Sequence, residues 1–339
     1  MKEITSHATN SLNLFMALCL TGLLSACATL PDNSAPKPLA PLNTAYDYDL
    51  LDSRTQQPIS VTALADLLKD SDVVFIGEFH GNQASHLLES QLQNALYQLN
   101  PKQILSMEQF ERQQQTILDR YLDDEIGETY LINEAPAWEN YAGSYRPLIE
   151  FAKQRLLPVV AANAPTDIVR CIGRQGGGYV NKLPKEQRSW IADEPFADIA
   201  DYKQKYQDWI QQVRHLSTKD AKKSYQAQIV RDNTMAESIL KALRDNPGYQ
   251  VIHTNGAFHS NDHLGTVAAL HRMAPDLKIS VISPIHTDTP QHPQPAPEDF
   301  LQGDYIYLLQ AQPAKYVDAA YRNKIMKRIF KQADSKPCL

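Results

Sequence analysis

Through the middle of the chain, short runs of apolar, often β-branched residues alternate with longer stretches whose apolar positions recur every three or four residues. Residues 73–76 (Val-Val-Phe-Ile) are apolar without interruption and stop at Gly77, the pattern of a strand buried on both faces. Beyond them, Ala84, Leu87, Leu88, Leu92, Ala95, Leu96 and Leu99 fall at helical spacing, and Asn100-Pro101 closes the segment as a breaker. The alternation continues with a strand over 103–107, a helix over 111–121, and a strand over 157–161 before the turn Asn163-Ala164-Pro165. Further strands are expected over 249–253 and 278–283. Strands alternating with helices require crossover connections, so the expected fold is α/β: a mainly parallel sheet with helices on both faces.

The rhythm breaks between residues 170 and 228. This stretch is rich in charge, contains Gly176-Gly177-Gly178, and holds Tyr179, Trp190, Tyr202, Tyr206, Trp209 and Tyr225 without an apolar strand. It is read as a helical cap insertion, its rings packing it onto the sheet. The block Asp232 to Ala236 is expected to open a helix that buries Ile229, Ile239, Leu240 and Leu243.

The N-terminus has a different pattern. Lys2 precedes an apolar stretch over 12–24 that is too short to span a bilayer comfortably, as in an export signal. Leu24-Ser25-Ala26-Cys27 resembles the lipobox of bacterial lipoproteins. That resemblance implies a signal peptide over 1–26 and a mature N-terminus at Cys27, carrying palmitate-type acyl chains that hold the protein on a membrane. Ala28, where an Asp would favour the inner membrane, points to the outer membrane, with the soluble part in the periplasm. Pro31, Pro36, Pro38 and Pro41 stiffen residues 27–45 into a tether, which leaves 46–339 for the α/β domain and its cap.

Charge narrows the partners. The net charge is −6 and no basic block interrupts the middle of the chain, which argues against nucleic acid. Lys324, Lys327, Arg328 and Lys331 share a helical spacing near the C-terminus and read as a solvated face. With Cys27 lipidated, Cys171 and Cys338 are left in the mature chain; their spacing is not that of a zinc site, and their pairing stays open.

Parallel sheets gather ligands at the carboxyl ends of their strands, and those ends are polar here. The first delivers Glu78 and His80, the second Glu108, the third Asn163, the fourth Asn255 with His259 close behind. His86 lies in the following helix, and Asp232 is either a crevice ligand or a turn former. Two chemistries fit. His80, His259 and one of Glu78 or Glu108 hold a divalent metal that activates water, or the same groups form a hydrogen-bonded network that stiffens the crevice. No Gly-x-Ser-x-Gly elbow, phosphate loop or dinucleotide fingerprint is present.

Five blocks in order carry a family resemblance: Val73-Val74-Phe75-Ile76-Gly77-Glu78-Phe79-His80, Ser106-Met107-Glu108-Gln109-Phe110-Glu111-Arg112, Ala161-Ala162-Asn163-Ala164-Pro165, Asp232-Asn233-Thr234-Met235-Ala236 and Asn255-Gly256-Ala257-Phe258-His259. Between about residues 60 and 285 the chain resembles the ChaN-type haem-binding uptake lipoproteins, which are grouped with Tiki-type proteases and erythromycin esterases. The resemblance implies an outer-membrane lipoprotein of iron uptake that forms a homodimer around two stacked haems. Each iron is then held by a tyrosine, the propionates are met by His and Lys of the partner, and an outer-membrane haem receptor is a further partner. Tyrosinate, a hard anionic donor, suits ferric haem.

No motif places that tyrosine, so the cap is expected to supply it. Tyr202 and Tyr206, four residues apart, share a helical face. Lys203, Lys205 and His215 are near in sequence for the propionates, and Tyr179 beside the glycines is the third choice. The chain thus reads as a haem binder rather than an enzyme. The alternative, drawn from the wider group, is a metal-dependent hydrolase using Glu78, His80, Glu108 and His259.

Overall fold

The structure, a computed structural model, describes residues 39–136, 138–214 and 217–339. Cys27, the expected signal peptide and most of the proline-rich tether lie outside the described residues, as does His215.

The chain enters through two short strands, β1 (Tyr48–Asp52) and β2 (Gln57–Pro58), and a helix, α1 (Val61–Leu68). Next come β3 (Val73–Glu78) and α2 (Gln83–Leu99). The Asn82 side chain starts α2 by accepting from the amides of Ala84 and Ser85, satisfying donors that the first turn leaves open. β4 (Gln103–Glu111) is followed by α3 (Gln115–Leu122), α4 (Glu128–Glu134), α5 (Tyr141–Ser144) and α6 (Arg146–Gln154). After β5 (Val159–Asn163) the chain is helical: α7 (Thr166–Gln175), α8 (Lys185–Arg188), α9 (Ala200–Arg214) and α10 (Thr218–Asp245). β6 (Gln250–Gly256), α11 (Thr266–Met273), β7 (Ile279–Thr287), β8 (Tyr305–Gln310) and α12 (Ala319–Ser335) complete it.

The strands form one sheet in the order β2-β1-β8-β7-β3-β6-β4-β5. From β8 to β5 every pairing is parallel, whereas β1 runs antiparallel to both β8 and β2. The expectation of a mainly parallel sheet is therefore met in that block and corrected at one edge. β3 lies inside the sheet between β7 and β6, which is why residues 73–76 are all apolar. Val74 and Ile76 pack with Leu88, Leu92 and Leu96 of α2, while Val73 and Phe75 pack with Ile239 of α10 and Leu270 of α11. Fully burying each such side chain contributes about 1.5–3 kcal/mol, so both helical layers are fixed to the strand that carries Glu78.

Two further expectations change, and the open cysteine pairing is resolved. The helix expected over 111–121 begins at Gln115, because the strand persists to Glu111 and a short turn over Arg112–Gln114 intervenes. The β4–β5 register shifts between Met107 and Glu111, an irregularity of the kind that re-aims side chains at sheet ends. The Asp232 block does not open a helix. It lies in the middle of α10, which starts fourteen residues earlier at Thr218, capped by Ser217. Finally, Cys171 of α7 and Cys338 form a disulfide that ties the C-terminus to the cap side of the molecule.

Candidate functional site

Glu78 is the last residue of β3 and is buried. Its Oε1 accepts from His80 Nδ1 at 2.6 Å, from the Tyr145 hydroxyl at 2.7 Å and from Gln109 Nε2 at 3.0 Å. Its Oε2 lies 3.1 Å from His86 Nδ1. Burial alone would raise this carboxyl. Hydrogen bonds from His80 and His86, with the charge of His80, override burial and hold Glu78 well below the usual carboxylate range.

Behind it, His86 Nδ1 also lies 3.0 Å from Glu89 Oε2, and the Gly81 amide donates to His86 Nε2 at 3.1 Å. The two carboxylates favour a protonated imidazole, and the pull is upward. The Gly81 amide, however, requires a lone pair on Nε2. Two N–H groups cannot face each other at that distance, so the geometry favours a neutral ring with its proton on Nδ1. Burial, then the charge of Glu78, raises Glu89 well above the usual range, so the second carboxyl is the one that keeps a proton.

On the other side of β3 stands a second carboxylate–imidazole set. Glu108, at the β4 irregularity, accepts from the Gly256 amide at 2.6 Å. His259 follows β6 in a short turn. Its Nδ1 is 2.7 Å from Asp232 Oδ1, which also accepts from the Thr266 hydroxyl, and its Nε2 is 3.5 Å from Glu108 Oε1. Burial depresses the His259 imidazole, and the charges of Asp232 and Glu108 raise it further than burial lowers it. The His80 ring bridges the two sets: it packs on Gly256 and edge-on to Trp138, and its side chain is 43% exposed, which makes it the member open to solvent. Burial lowers His80, and the Glu78 hydrogen bond with the Glu108 charge lifts it above its ordinary value.

Glu78, His80, Glu108, Asp232 and His259 thus meet at the carboxyl ends of β3, β4 and β6. Asn163 and Asn255 brace the backbone around them. Asn163 donates to the Glu108 carbonyl and accepts from the Ala164 amide, and Asn255 donates to the Gly256 carbonyl and Ser260 Oγ. Glu78, His80 and His259 do not form a compact metal-ligating group. Among the described residues, the group within ligand reach of one point is Glu78, His86 and Glu89, whose donor atoms lie within 4.8 Å of one another. Sequence reasoning missed Glu89, Gln109 and Tyr145. A signal existed for the first: Ser85, Glu89 and Gln93 stand at four-residue intervals among the buried positions of α2.

The cap closes over His259. Gln228 Nε2 donates to the Tyr202 hydroxyl at 2.9 Å and lies 3.3 Å from His259 Nδ1. Tyr202 is fully buried, and burial, reinforced by the Asp232 charge, raises its phenol well above 10. Phe258 is the hub of an aromatic cluster, with ring centroids 5.8 Å from Tyr202, 6.1 Å from Tyr206 and 5.3 Å from Trp209. Along α9 the rings grade from buried Tyr202 and Tyr206 to exposed Trp209. Lys205 Nζ sits 5.0 Å from the Phe258 centroid and pairs with Asp262, and Lys203 pairs with Asp198. The Tyr206 hydroxyl is 2.5 Å from Ser224 Oγ. Tyr179 is buried in a separate cluster beside the disulfide, its hydroxyl accepting from the Leu339 amide.

Residues 64–270 match the family described as haem-binding uptake, Tiki superfamily, ChaN. A solved structure described as cofacial haem binding to ChaN of Campylobacter jejuni is similar in fold, with a TM-score of 0.58 at 17% identity, covering 78% of this chain and 98% of that one. An erythromycin esterase, EreC, in its open conformation aligns with a TM-score of 0.42 at 13% identity over 83% of this chain and 87% of that one. No match was found among curated proteins.

Proposed function

The chain belongs to the ChaN-type haem-binding uptake family of the Tiki superfamily, and on that premise we propose that it binds haem on the cap, against the aromatic face of Tyr206, Phe258 and Trp209. The observation that carries this reading is the exposed Trp209 ring, continuous through Phe258 with buried aromatics and bordered by Lys205. A flat apolar ligand with two carboxylates needs such a wall and such cations.

The residues fit the group unequally. Haem supplies a ferric centre that takes a hard oxygen donor. Tyr202 is poorly suited, because burial and Asp232 oppose its ionisation. Tyr179 is sealed beneath the C-terminus. Tyr206 is best placed among the three: it lies in the aromatic face, its ring 5.5 Å from that of exposed Trp209, with Ser224 Oγ against its hydroxyl. Lys205 and Lys203 can exchange their carboxylate partners for propionates at small cost, because surface ion pairs contribute about 0–1 kcal/mol. His215 is proposed for the same role.

Cofacial stacking, as titled for the Campylobacter jejuni protein, supports a homodimer of this chain around two haems. The disulfide favours an oxidising compartment. Together with the export signal and lipobox resemblance of the N-terminus, it is the basis for proposing a lipoprotein anchored through Cys27 in the outer membrane, facing the periplasm, that exchanges haem with an outer-membrane receptor. The test is absorbance of the ferric complex. Tyr206→Phe should remove the tyrosinate-type charge-transfer band, and Tyr202→Phe and Tyr179→Phe should leave it. Retention of the band in Tyr206→Phe would contradict the assignment.

A second reading is favoured by one observation, the two carboxylate–imidazole pairs on either side of Gly256. Pairs of this kind take and give protons near neutral pH, the requirement for general acid–base hydrolysis by Glu78, His80, Glu108 and His259. It predicts hydrolytic turnover that His80→Ala abolishes without loss of haem uptake.

A further inference from the structure

The C-terminal helix α12 belongs to none of this chemistry. It has no buried residue, although it is seventeen residues long. At about 100° per residue, Tyr321, Ile325 and Ile329 line one arc with Met326 and Phe330 beside them. Lys324, Lys327, Arg328 and Lys331 line the opposite arc, and a fifth cation, Arg322, falls within the apolar one. Tyr321, Ile329 and Phe330 are exposed, and Val317 just before the helix is 94% exposed. Elsewhere among the described residues, Lys203, Lys205, Lys223 and Lys241 have carboxylate partners, whereas Lys69, Lys102 and Lys185 have none and stand singly. The four cations of the basic arc likewise have none among the described residues, and they are clustered on one helix face. The one acid of the helix, Asp334, is 3.5 Å from Arg174.

We propose that α12 lies on an anionic phospholipid surface, with its apolar arc in the acyl boundary and its four cations among the headgroup phosphates. A wide apolar arc facing a lysine-rich arc is the pattern of an interfacial helix. No helix among the described residues is long and apolar enough to cross a membrane, so the contact is peripheral. Charge selects this occupant over two others. A second copy seated on the apolar face would cover that arc but leave the cations of both copies in water, without counter-charge. A nucleic acid would satisfy the cations but leave Ile325 and Ile329 in water. The helix is held to the body at one end, where Arg174 Nη1 donates to the Lys336 carbonyl at 2.8 Å and Cys338 is bonded to Cys171. It therefore fixes how the domain sits on the surface and does not act as a free tail.

The test is hydrogen exchange on the full chain, read over residues 319–335, with vesicles of phosphatidylglycerol and phosphatidylcholine and with phosphatidylcholine alone. Protection is expected on the anionic vesicles and should be lost at 1 M salt, where screening acts over ~3 Å. Each cation is worth about fivefold in partitioning, so replacing Lys324, Lys327, Arg328 and Lys331 together by Gln should weaken the effect by roughly several hundredfold. Ile325→Ser with Ile329→Ser should weaken it about tenfold or more. Exchange in β3 and β6 in the same samples reports that the fold is intact. Equal protection on both vesicle types, or none, overturns the proposal. So does protection that rises with protein concentration alone, which marks a second copy, or protection by duplex DNA that survives the serine substitutions.

Discussion

His80 rests directly on Gly256: a Cβ at position 256 would come within 2.6 Å of both Cε1 and Nε2 of the imidazole. The glycine is therefore a steric requirement of the crevice, because it lets the ring lie across β6 while Nδ1 reaches Glu78. Gly256→Ala should displace His80 and break its 2.6 Å bond to Glu78. The cost should be about 1–3 kcal/mol, the range for overpacking a tight site. Chemical denaturation measures it, and an unchanged midpoint would show that the ring moves away freely.

His253 gives a pH prediction. It is fully buried on β6, with Ser106 Oγ 2.9 Å from Nδ1 and the Phe75 ring edge-on, and burial pushes its pKa down to about 3. The folded value lies below the unfolded value of 6.5, so the unfolded chain binds the proton first as the pH falls. The stability this residue contributes is complete above pH 6.5 and is lost progressively between there and about pH 3. Denaturation midpoints of His253→Gln and the parent, compared across that window, should show a shallower loss in the variant. Parallel curves would mean that His253 does not titrate as proposed.

The disulfide closes a loop of 167 residues. Cys338→Ser should lower stability by about 2–5 kcal/mol, with the loss concentrated where Arg174 and Tyr179 meet the C-terminus. Thermal melts of the oxidised and reduced parent, set beside the variant, check both the size and the origin of the effect.

Trp209 contributes little to the fold and much to the proposed haem face. It is 41% exposed, so Trp209→Ala should change folding stability by less than about 1 kcal/mol. Haem affinity should fall about tenfold or more, the scale of losing an aromatic anchor. Affinity equal to that of the parent would move the haem away from this face.

Much of the parallel block was legible because a strand buried on both faces must be apolar at every position, as in residues 73–76 and 251–252. The antiparallel edge was harder. β1 alternates too briefly, and β2 has two residues. β8 carried a readable apolar run, Tyr305-Ile306-Tyr307-Leu308-Leu309, after a proline-rich approach that conceals its relation to the sheet. The strand ends announced Glu78, Glu108 and His259, since polar residues after apolar runs have few structural excuses. Of the rest, Asp232 was legible as a candidate but not in its position within a helix, and Tyr145 and Gln109 were not legible. Asp232 comes from the interior of a long helix, Tyr145 from the junction of α5 and α6, and Gln109 depends on a register shift that no local pattern marks. The aromatic cap was visible as composition. Which ring is buried and which is exposed is decided by Phe258, a residue of the crevice loop rather than of the cap.

Titration of the purified chain with ferric haem, followed together by absorbance and sedimentation velocity, tests haem binding by the cap most directly. One haem per chain, a tyrosinate-type spectrum and a shift from monomer to dimer at the same equivalence point are predicted. A chain that takes up no haem, or that binds it with no change in sedimentation and with the same affinity when Tyr206 and Trp209 are replaced, would contradict it.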